Sequence, residues 1–290
     1  MTVIKSASQE SALKLLWEKG GPKPDRPGTA FPTVDPKGRI WAANIWTSEF
    51  WVFKPDGTFI EAWGDQGSAD GQFDFSYQGG EDSIGGLRFA KDGSFYTFDA
   101  GNLRVQRFDA SRKFVRSWGG FGSGDGQFSK PSAIGLDSQG RVYIADGERA
   151  DVQVFDPDGT YLRTIAKGQA GVPDHFVYMA VDPAGDVYVS KGQTILKYAS
   201  DGMPLAVYDF SAFAGDPTPS AVDARGNLFV MTLNHDNSTP GSLIKLDPKG
   251  VVLHVWPGVG ELLALDRAGT TGYATQFGVE HVRAYALPGS

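Results

Sequence analysis

The sequence contains no cysteine and only four histidines among its 290 residues. Disulfide bonds, zinc–thiolate sites and a cysteine nucleophile are therefore excluded. An excess of positive charge is also missing, since 27 basic and 34 acidic residues give a net charge of −7. Without an excess of positive charge, the chain has no electrostatic basis for binding a nucleic-acid backbone or an anionic membrane, so we expect neither as a partner.

Long apolar segments are absent as well. No run approaches the roughly 18 apolar residues of a membrane-spanning helix, and residues 1–9 lack the apolar stretch of a signal peptide. We therefore predict a cytoplasmic protein. What the chain does hold is 41% hydrophobic residues, 12% aromatic residues and 38 glycines, a composition typical of a folded protein with a large core.

One short phrase recurs six times: an apolar residue, a turn of the Asp-x-x-Gly kind, and an alternating strand. The turn glycines are Gly38, Gly93, Gly140, Gly185, Gly226 and Gly269. Their spacing ranges from 41 residues (185 to 226) to 55 residues (38 to 93), close to the roughly 40–50 residues of a propeller blade. Most copies carry a second hairpin, as at Asp56-Gly57, so each repeat has four short strands. We predict an all-β fold, a six-bladed β-propeller.

The sixth repeat has room for three strands only, within about 261–287. Residues 12–20 resemble the outer-strand endings of other repeats, so we expect this N-terminal strand to complete the last blade and close the ring. The whole chain, 1–290, would then be a single propeller. The alternative is an amphipathic N-terminal helix, because Leu13, Leu16 and Trp17 also suit a helical stripe.

Several phrases resemble those of NHL-repeat proteins, a family of six-bladed β-propellers. They are Asn102–Asp109, Asp151–Asp156 and the glycine-rich links 118–128 and 63–73. The resemblance spans nearly all of the chain, is strong in the first three blades and fades in the last two. It implies the fold and says little about function, because the architecture serves lyases, lactonases, hydrolases, sensors and scaffolds.

Among enzymes of this architecture the chain looks most like the peptidyl-hydroxyglycine amidating lyases, whose inner strands bring three histidines to a metal. The comparable positions are Ala30, Gly85, Ser132, Val177, Thr218 and Glu261, so that triad is absent. The metal ligands of gluconolactonase-like propellers are not matched either. No motif requires a cofactor, although a divalent metal is possible if His175, His235 and His281 converge on one face.

We expect function on the face that carries the blade-to-blade links and the loops between second and third strands. The longest link lies between blades 1 and 2 and includes the aromatic and acidic stretch 74–83. A long loop over a channel mouth is a candidate site. The alternative is a surface insertion without function.

Aligning the six repeats on their turn glycines shows two exceptional charged residues. Five residues before the glycine, Arg88 stands where the other repeats have Thr, Gly or Ala. A cation on a crowded inner strand needs an anionic partner, which is either a structural carboxylate such as Glu81 or Asp82, or a substrate anion. Eight residues before the glycine, Glu261 is the lone ionisable group. Its apolar neighbours suit a general acid or base, and the alternative is a structural cap.

These residues lead to one functional hypothesis, a hydrolase or lyase that binds a small molecule at the channel mouth. The proposed catalytic residues are Glu261, Arg88, Asp82, Glu81 and His175. The proposed substrate-binding residues are Trp46, Phe75, Tyr77, Tyr178, Lys191 and His235. Two alternatives are open: a non-catalytic propeller that binds a protein or peptide on the same face, and a calcium- or zinc-dependent lactonase or lyase.

Overall fold

The computed structural model describes residues 2–4, 10–22, 29–76, 85–170, 177–233, 240–276 and 281–288. Over these ranges the chain forms β-strands joined by turns and loops. They contain no helix with the length and apolarity that a membrane crossing requires. The strands make six small sheets arranged as a ring, which confirms the predicted six-bladed β-propeller.

Each blade is built from four antiparallel strands. The first two strands of the chain are β1 (Thr2–Val3) and β2 (Lys14–Gly20). Blade 1 follows, with β3 (Thr29–Val34), β4 (Ile40–Asn44), β5 (Glu49–Phe53) and β6 (Phe59–Trp63), and its link to blade 2 contains β7 (Asp65–Gln66) and β8 (Gln72–Phe73). Blade 2 comprises β9 (Gly85–Phe89), β10 (Phe95–Asp99), β11 (Arg104–Phe108) and β12 (Phe114–Gly119).

The remaining blades repeat this order. Blade 3 comprises β13 (Pro131–Leu136), β14 (Val142–Asp146), β15 (Asp151–Phe155) and β16 (Tyr161–Ile165). Blade 4 comprises β17 (Met179–Val181), β18 (Val187–Lys191), β19 (Thr194–Tyr198) and β20 (Pro204–Asp209). Blade 5 comprises β21 (Asp216–Val222), β22 (Leu228–Leu233), β23 (Gly241–Leu246) and β24 (Val252–Gly260), and blade 6 has β25 (Leu262–Leu265), β26 (Thr271–Thr275), β27 (His281–Ala286) and β2.

The ring is closed by the N-terminal strand. β2 pairs antiparallel with β27, from Lys14 opposite Ala286 to Gly20 opposite His281, so the strand prediction is confirmed and the helical alternative is not realised. Upstream of β2, strand β1 runs parallel to β20 on the outside of blade 4. Closure leaves β27 with no open edge in blade 6.

The repeated Asp-x-x-Gly phrase folds because its aspartate caps the turn. In blade 1, Asp35 Oδ1 accepts hydrogen bonds from the backbone N–H of Lys37 at 2.9 Å and of Arg39 at 2.8 Å. Gly38 then adopts a φ of +79°, which a residue with a Cβ rarely does. Asp182 and Asp223 make the same pair of bonds in blades 4 and 5.

The NHL-like phrases hold the links between blades. In β11, Gln106 Oε1 accepts the N–H of Gly71 at 2.9 Å, and its Nε2 donates to the carbonyl of Gln72 at 2.7 Å. In β15, Gln153 makes the equivalent bonds to Gly126 N–H at 2.8 Å and Gln127 O at 2.7 Å. Both glutamines are buried, so the hydrogen bonds by which each joins its blade to the preceding link lie in the protein interior.

We predict that Gln153→Ala lowers the free energy of unfolding by about 2–4 kcal/mol, because it removes two buried hydrogen bonds and leaves their backbone partners unsatisfied. Urea denaturation followed by tryptophan fluorescence measures the effect. Gln139→Ala is the matched control, since Gln139 is exposed and its side chain makes no hydrogen bond among the described residues. Equal stability of the two variants would contradict the role assigned to Gln153.

Candidate functional site

The six inner strands, β3, β9, β13, β17, β21 and β25, stand side by side around a central channel. Each starts at the loop face, which carries the blade links and the loops between second and third strands. Each ends at the turn face, which carries the turns with the six repeat glycines. Arg88 is the fourth of five residues in β9, whereas Glu261 immediately precedes β25. The two residues therefore lie toward opposite ends of the channel.

A chamber of about 330 Å³ occupies the turn-face end of the channel. Its rim contains the last residue of each inner strand, a set that we call the mouth ring: Val34, Phe89, Leu136, Val181, Val222 and Leu265. The residues one position earlier also line the chamber: Thr33, Arg88, Gly135, Ala180, Ala221 and Ala264. Five small side chains in this layer leave the space, and the sixth is an arginine.

Arg88 is a desolvated cation. Among the described residues its guanidinium makes one hydrogen bond, from Nη1 to the carbonyl of Leu87 at 2.9 Å, and no ion pair. Desolvation lowers the pKa of Arg88 to about 10, which still leaves the side chain charged at neutral pH. The predicted partners Glu81 and Asp82 lie outside the described residues.

Above the chamber the channel narrows to a waist. A pocket of about 20 Å³, lined by Phe31, Tyr178, Leu262 and Arg88 among others, is the accessible space there. Phe31 has a φ of +48° at a bulge in β3, a strained conformation for a bulky residue. Gly86 permits this arrangement, since a Cβ there would lie 3.2 Å from Phe31 Cβ and 2.9 Å from the Phe98 ring.

The loop end of the channel holds a buried polar cluster. Glu261 is 0% exposed, and its backbone N–H donates to the carbonyl of Thr275 at 3.0 Å. The pKa of Tyr178 is well above its usual range, first because of burial and further because of the carboxylates of Glu261 and Asp216. Those electrostatic effects place both carboxylates near the phenol. Thr275 adds a hydroxyl that is sealed from solvent and has no hydrogen-bond partner among the described residues.

The aspartates that end the second strands are structural. Asp99 Oδ1 accepts the N–H of Asp74 at 2.7 Å, and Asp146 accepts the N–H groups of Ser129 at 2.7 Å and Lys130 at 2.9 Å. Both are fully buried, and burial is the largest reason why the pKa of Asp99 is raised. They fix the links onto the blades, much as the buried glutamines do.

Three residues predicted to bind substrate, Trp46, Lys191 and Phe75, lie in different environments. Trp46 is 50% exposed in the loop between β4 and β5, and Lys191 Nζ donates to Gln169 Oε1 at 2.8 Å. Phe75 was predicted to line the channel mouth, and this prediction is wrong. The side chain is 0% exposed and packs edge-on against Phe50, with the two ring centroids 5.2 Å apart. The reason is Gly85, where a Cβ would lie 2.3 Å from the Phe75 ring.

Tyr77, His175 and His235 lie outside the described residues, together with Glu81 and Asp82. Among the residues that are described, no three His, Asp or Glu side chains form a group that could hold a metal ion. His281 Nδ1 lies 2.9 Å from Glu18 Oε1 of β2, on the outer side of blade 6.

The structure separates two residues that were predicted to share one site. Arg88 and Glu261 were expected at a single mouth on the loop face, whereas no cavity formed by the described residues is lined by both of them. The sequence does indicate this separation. Arg88 lies five residues before its turn glycine and Glu261 lies eight residues before its own, so Arg88 is nearer the turn face. Two features were not predicted: the influence of carboxylates on the Tyr178 phenol, and the position of Thr275, which pairs with Leu262 next to Glu261. Strand register would place both residues at the loop end.

The fold and the two ends of the channel define the protein as a six-bladed β-propeller. No family model matches the chain. Parts of the sequence are similar to curated proteins: protein lin-41 of Caenorhabditis elegans, 40% identical over 53 residues (18% of this chain, 5% of that protein), and human NHL repeat-containing protein 3, 32% identical over 87 residues (26% and 25%). The matched segments span a quarter or less of these relatives. With the fold, they confirm the predicted resemblance to NHL-repeat propellers.

Solved structures of the same architecture match over most of the chain. Virginiamycin B lyase from Staphylococcus aureus aligns with a TM-score of 0.62 at 11% identity and covers 95% of this chain and 99% of its own. A gluconolactonase from Xanthomonas campestris aligns with a TM-score of 0.64 at 16% identity and covers 90% and 86%. At these identities the likeness establishes the fold and no more.

We predict that Arg88→Met stabilises the protein at pH 7 in a buffer without binding anions, by about 1–3 kcal/mol, because it removes a desolvated charge. The unfolded chain keeps the Arg88 proton above pH 10, where the folded protein releases it, so the stability of the parent rises with pH there. The advantage of the variant should therefore shrink between pH 10 and pH 12.

Urea denaturation at pH 7 and pH 11 measures both effects. Arg267→Met, which removes an exposed cation at the chamber mouth, should change stability little at either pH. An Arg88→Met variant that is less stable than the parent at pH 7 would show that the guanidinium has a compensating partner within the protein.

Proposed function

We propose that the protein is a small-molecule enzyme of the hydrolase or lyase class, whose reacting centre is the loop end of the channel around Glu261. The observation that carries the proposal is the complete burial of this carboxylate close to the phenol of Tyr178. A carboxylate costs free energy to bury, and such groups are concentrated at functional sites. The architecture of the solved lyase and lactonase structures supports the class by analogy of fold.

The two groups have complementary roles. The raised pKa of Tyr178 keeps its phenol protonated at neutral pH, so it can donate a hydrogen bond to a carbonyl oxygen that gains negative charge. Glu261 accepts a proton, either from a water that attacks a carbonyl or from the carbon beside it. The hydroxyl of Thr275, which has no partner among the described residues, is a further donor for the substrate.

We predict that Glu261→Gln lowers turnover by about 100-fold or more, because the amide cannot accept the proton. The assay compares the parent and the variant on an aryl ester, a sugar lactone and a peptidyl-hydroxyglycine, each with and without a chelator. Glu148→Gln is the matched control, since Glu148 is an exposed carboxylate on the same face. Unchanged turnover of Glu261→Gln would remove Glu261 from the mechanism, and loss of turnover with chelator would favour the metal-dependent alternative.

The second candidate function is binding of a protein or peptide on the loop face without catalysis. Two large apolar side chains favour it, since Trp46 is 50% exposed and Phe121, in the link between blades 2 and 3, is 74% exposed. In that case the parent protein would turn over none of the three substrates.

A further inference from the structure

The chamber at the turn face is a separate site from the loop end. Its lining includes residues of all six inner strands but not Glu261, and the waist formed in part by Phe31, Tyr178 and Leu262 lies between the two. A molecule in the chamber would therefore contact Arg88 without contacting Glu261. The volume of about 330 Å³ is at the lower end of the range for small-molecule pockets.

Inside the chamber, a single cation lies in a wall of mixed polar and hydrophobic character. Arg88 has five N–H donors, of which one is used within the described residues, on the carbonyl of Leu87. Arg88 is partly exposed, and it borders the open space of the chamber. The apolar part of the wall is supplied by Ile134, Met179 and Leu263 together with the mouth ring.

The other charged residues that line the chamber are Asp223, Asp266 and Arg267, at its mouth. Asp223 accepts the backbone N–H groups of Arg225 and Asn227 at 2.9 Å each and the Asn227 amide at 2.8 Å. Asp266 accepts the N–H of Thr270 at 2.8 Å and its hydroxyl at 3.0 Å. Both carboxylates are thus used by their turns, and neither forms an ion pair with Arg88. Asp223 also lies 4.0 Å from Lys245 Nζ, and Arg267 is an exposed cation next to Asp266 in the chain, so the charges at the entrance are of both signs.

We propose that this chamber binds a small organic monocarboxylate. Its carboxylate accepts hydrogen bonds from the Arg88 guanidinium, whose planar fork matches the two oxygens. Its hydrocarbon part packs against the hydrophobic side chains of the wall, which are Met179, Ile134 and the mouth ring. The anion supplies the counter-charge that the described protein lacks, and so offsets the cost of a desolvated guanidinium.

Isothermal titration calorimetry at pH 7 and low salt tests the proposal with butyrate, hexanoate and hexanamide. We expect hexanoate to bind the parent protein, with an affinity that rises about fourfold for each methylene added from butyrate onward. Hexanamide, which has the same shape without the charge, should bind about 10- to 100-fold more weakly. Arg88→Met should lose hexanoate binding by the same factor, and Arg267→Met should retain it.

If Arg88→Met fails to fold, three other measurements test whether the chamber binds a carboxylate through Arg88. Arg88→Lys keeps the charge without the fork and should weaken hexanoate binding about tenfold, while the contrast between hexanoate and hexanamide is read in the parent protein. Glu261→Gln should bind hexanoate as the parent does, so the proposal stands or falls independently of the proposed enzymatic function. Equal binding of hexanoate and hexanamide, no binding of either carboxylate, or equal binding by the parent and Arg88→Met would overturn it.

Discussion

Closure of the ring by pairing of β2 with β27 is the constraint on which the rest of the structure depends. Once the sixth blade is complete, the inner strands of all six blades pack side by side around one axis. In the layer that contains Arg88 the other five residues are small, so the arginine borders the open space of the chamber. The properties of Arg88 and of Glu261 follow from this geometry rather than from any local motif.

The channel is polar at two points and apolar between them. At the turn end, Arg88 stands in a layer whose other members are Thr33, Gly135 and three alanines, so a charge is held where there is room for a ligand. At the loop end, Glu261 and Tyr178 are buried together, and their proximity favours the protonated phenol. The two ends of the channel therefore differ in charge, with the Arg88 guanidinium at the turn end and the Glu261 carboxylate at the loop end.

The fold could be predicted from the sequence because its determinants are local and repeated. Asp35 and its equivalents cap turns through bonds within five residues, and the glutamines of the NHL-like phrases join each link to the next blade. The site could be predicted only in part. Arg88 and Glu261 were identified as exceptions to the repeat, but separating them required reading the distance of each residue from its turn glycine as a position along the inner strand.

Phe75 shows why residue type alone misleads. An aromatic side chain in a long link is compatible with a binding surface, and the structure instead places its ring over Gly85 in the core between blades 1 and 2. The deciding factor is a contact between residues ten positions apart, which depends on how the link folds back. Tyr178 differs from its prediction in the opposite sense. It was predicted to be an apolar wall of the site, whereas its phenol hydroxyl is the group on which the Glu261 carboxylate acts.

A crystal structure grown with 6-bromohexanoate tests the central claim most directly, because the bromine locates the ligand by its anomalous signal. The account predicts a carboxylate within hydrogen-bond distance of the Arg88 guanidinium and bromine density against the mouth ring. An Arg88 guanidinium paired with a carboxylate of the protein itself, or turned out of the channel into solvent, would contradict it.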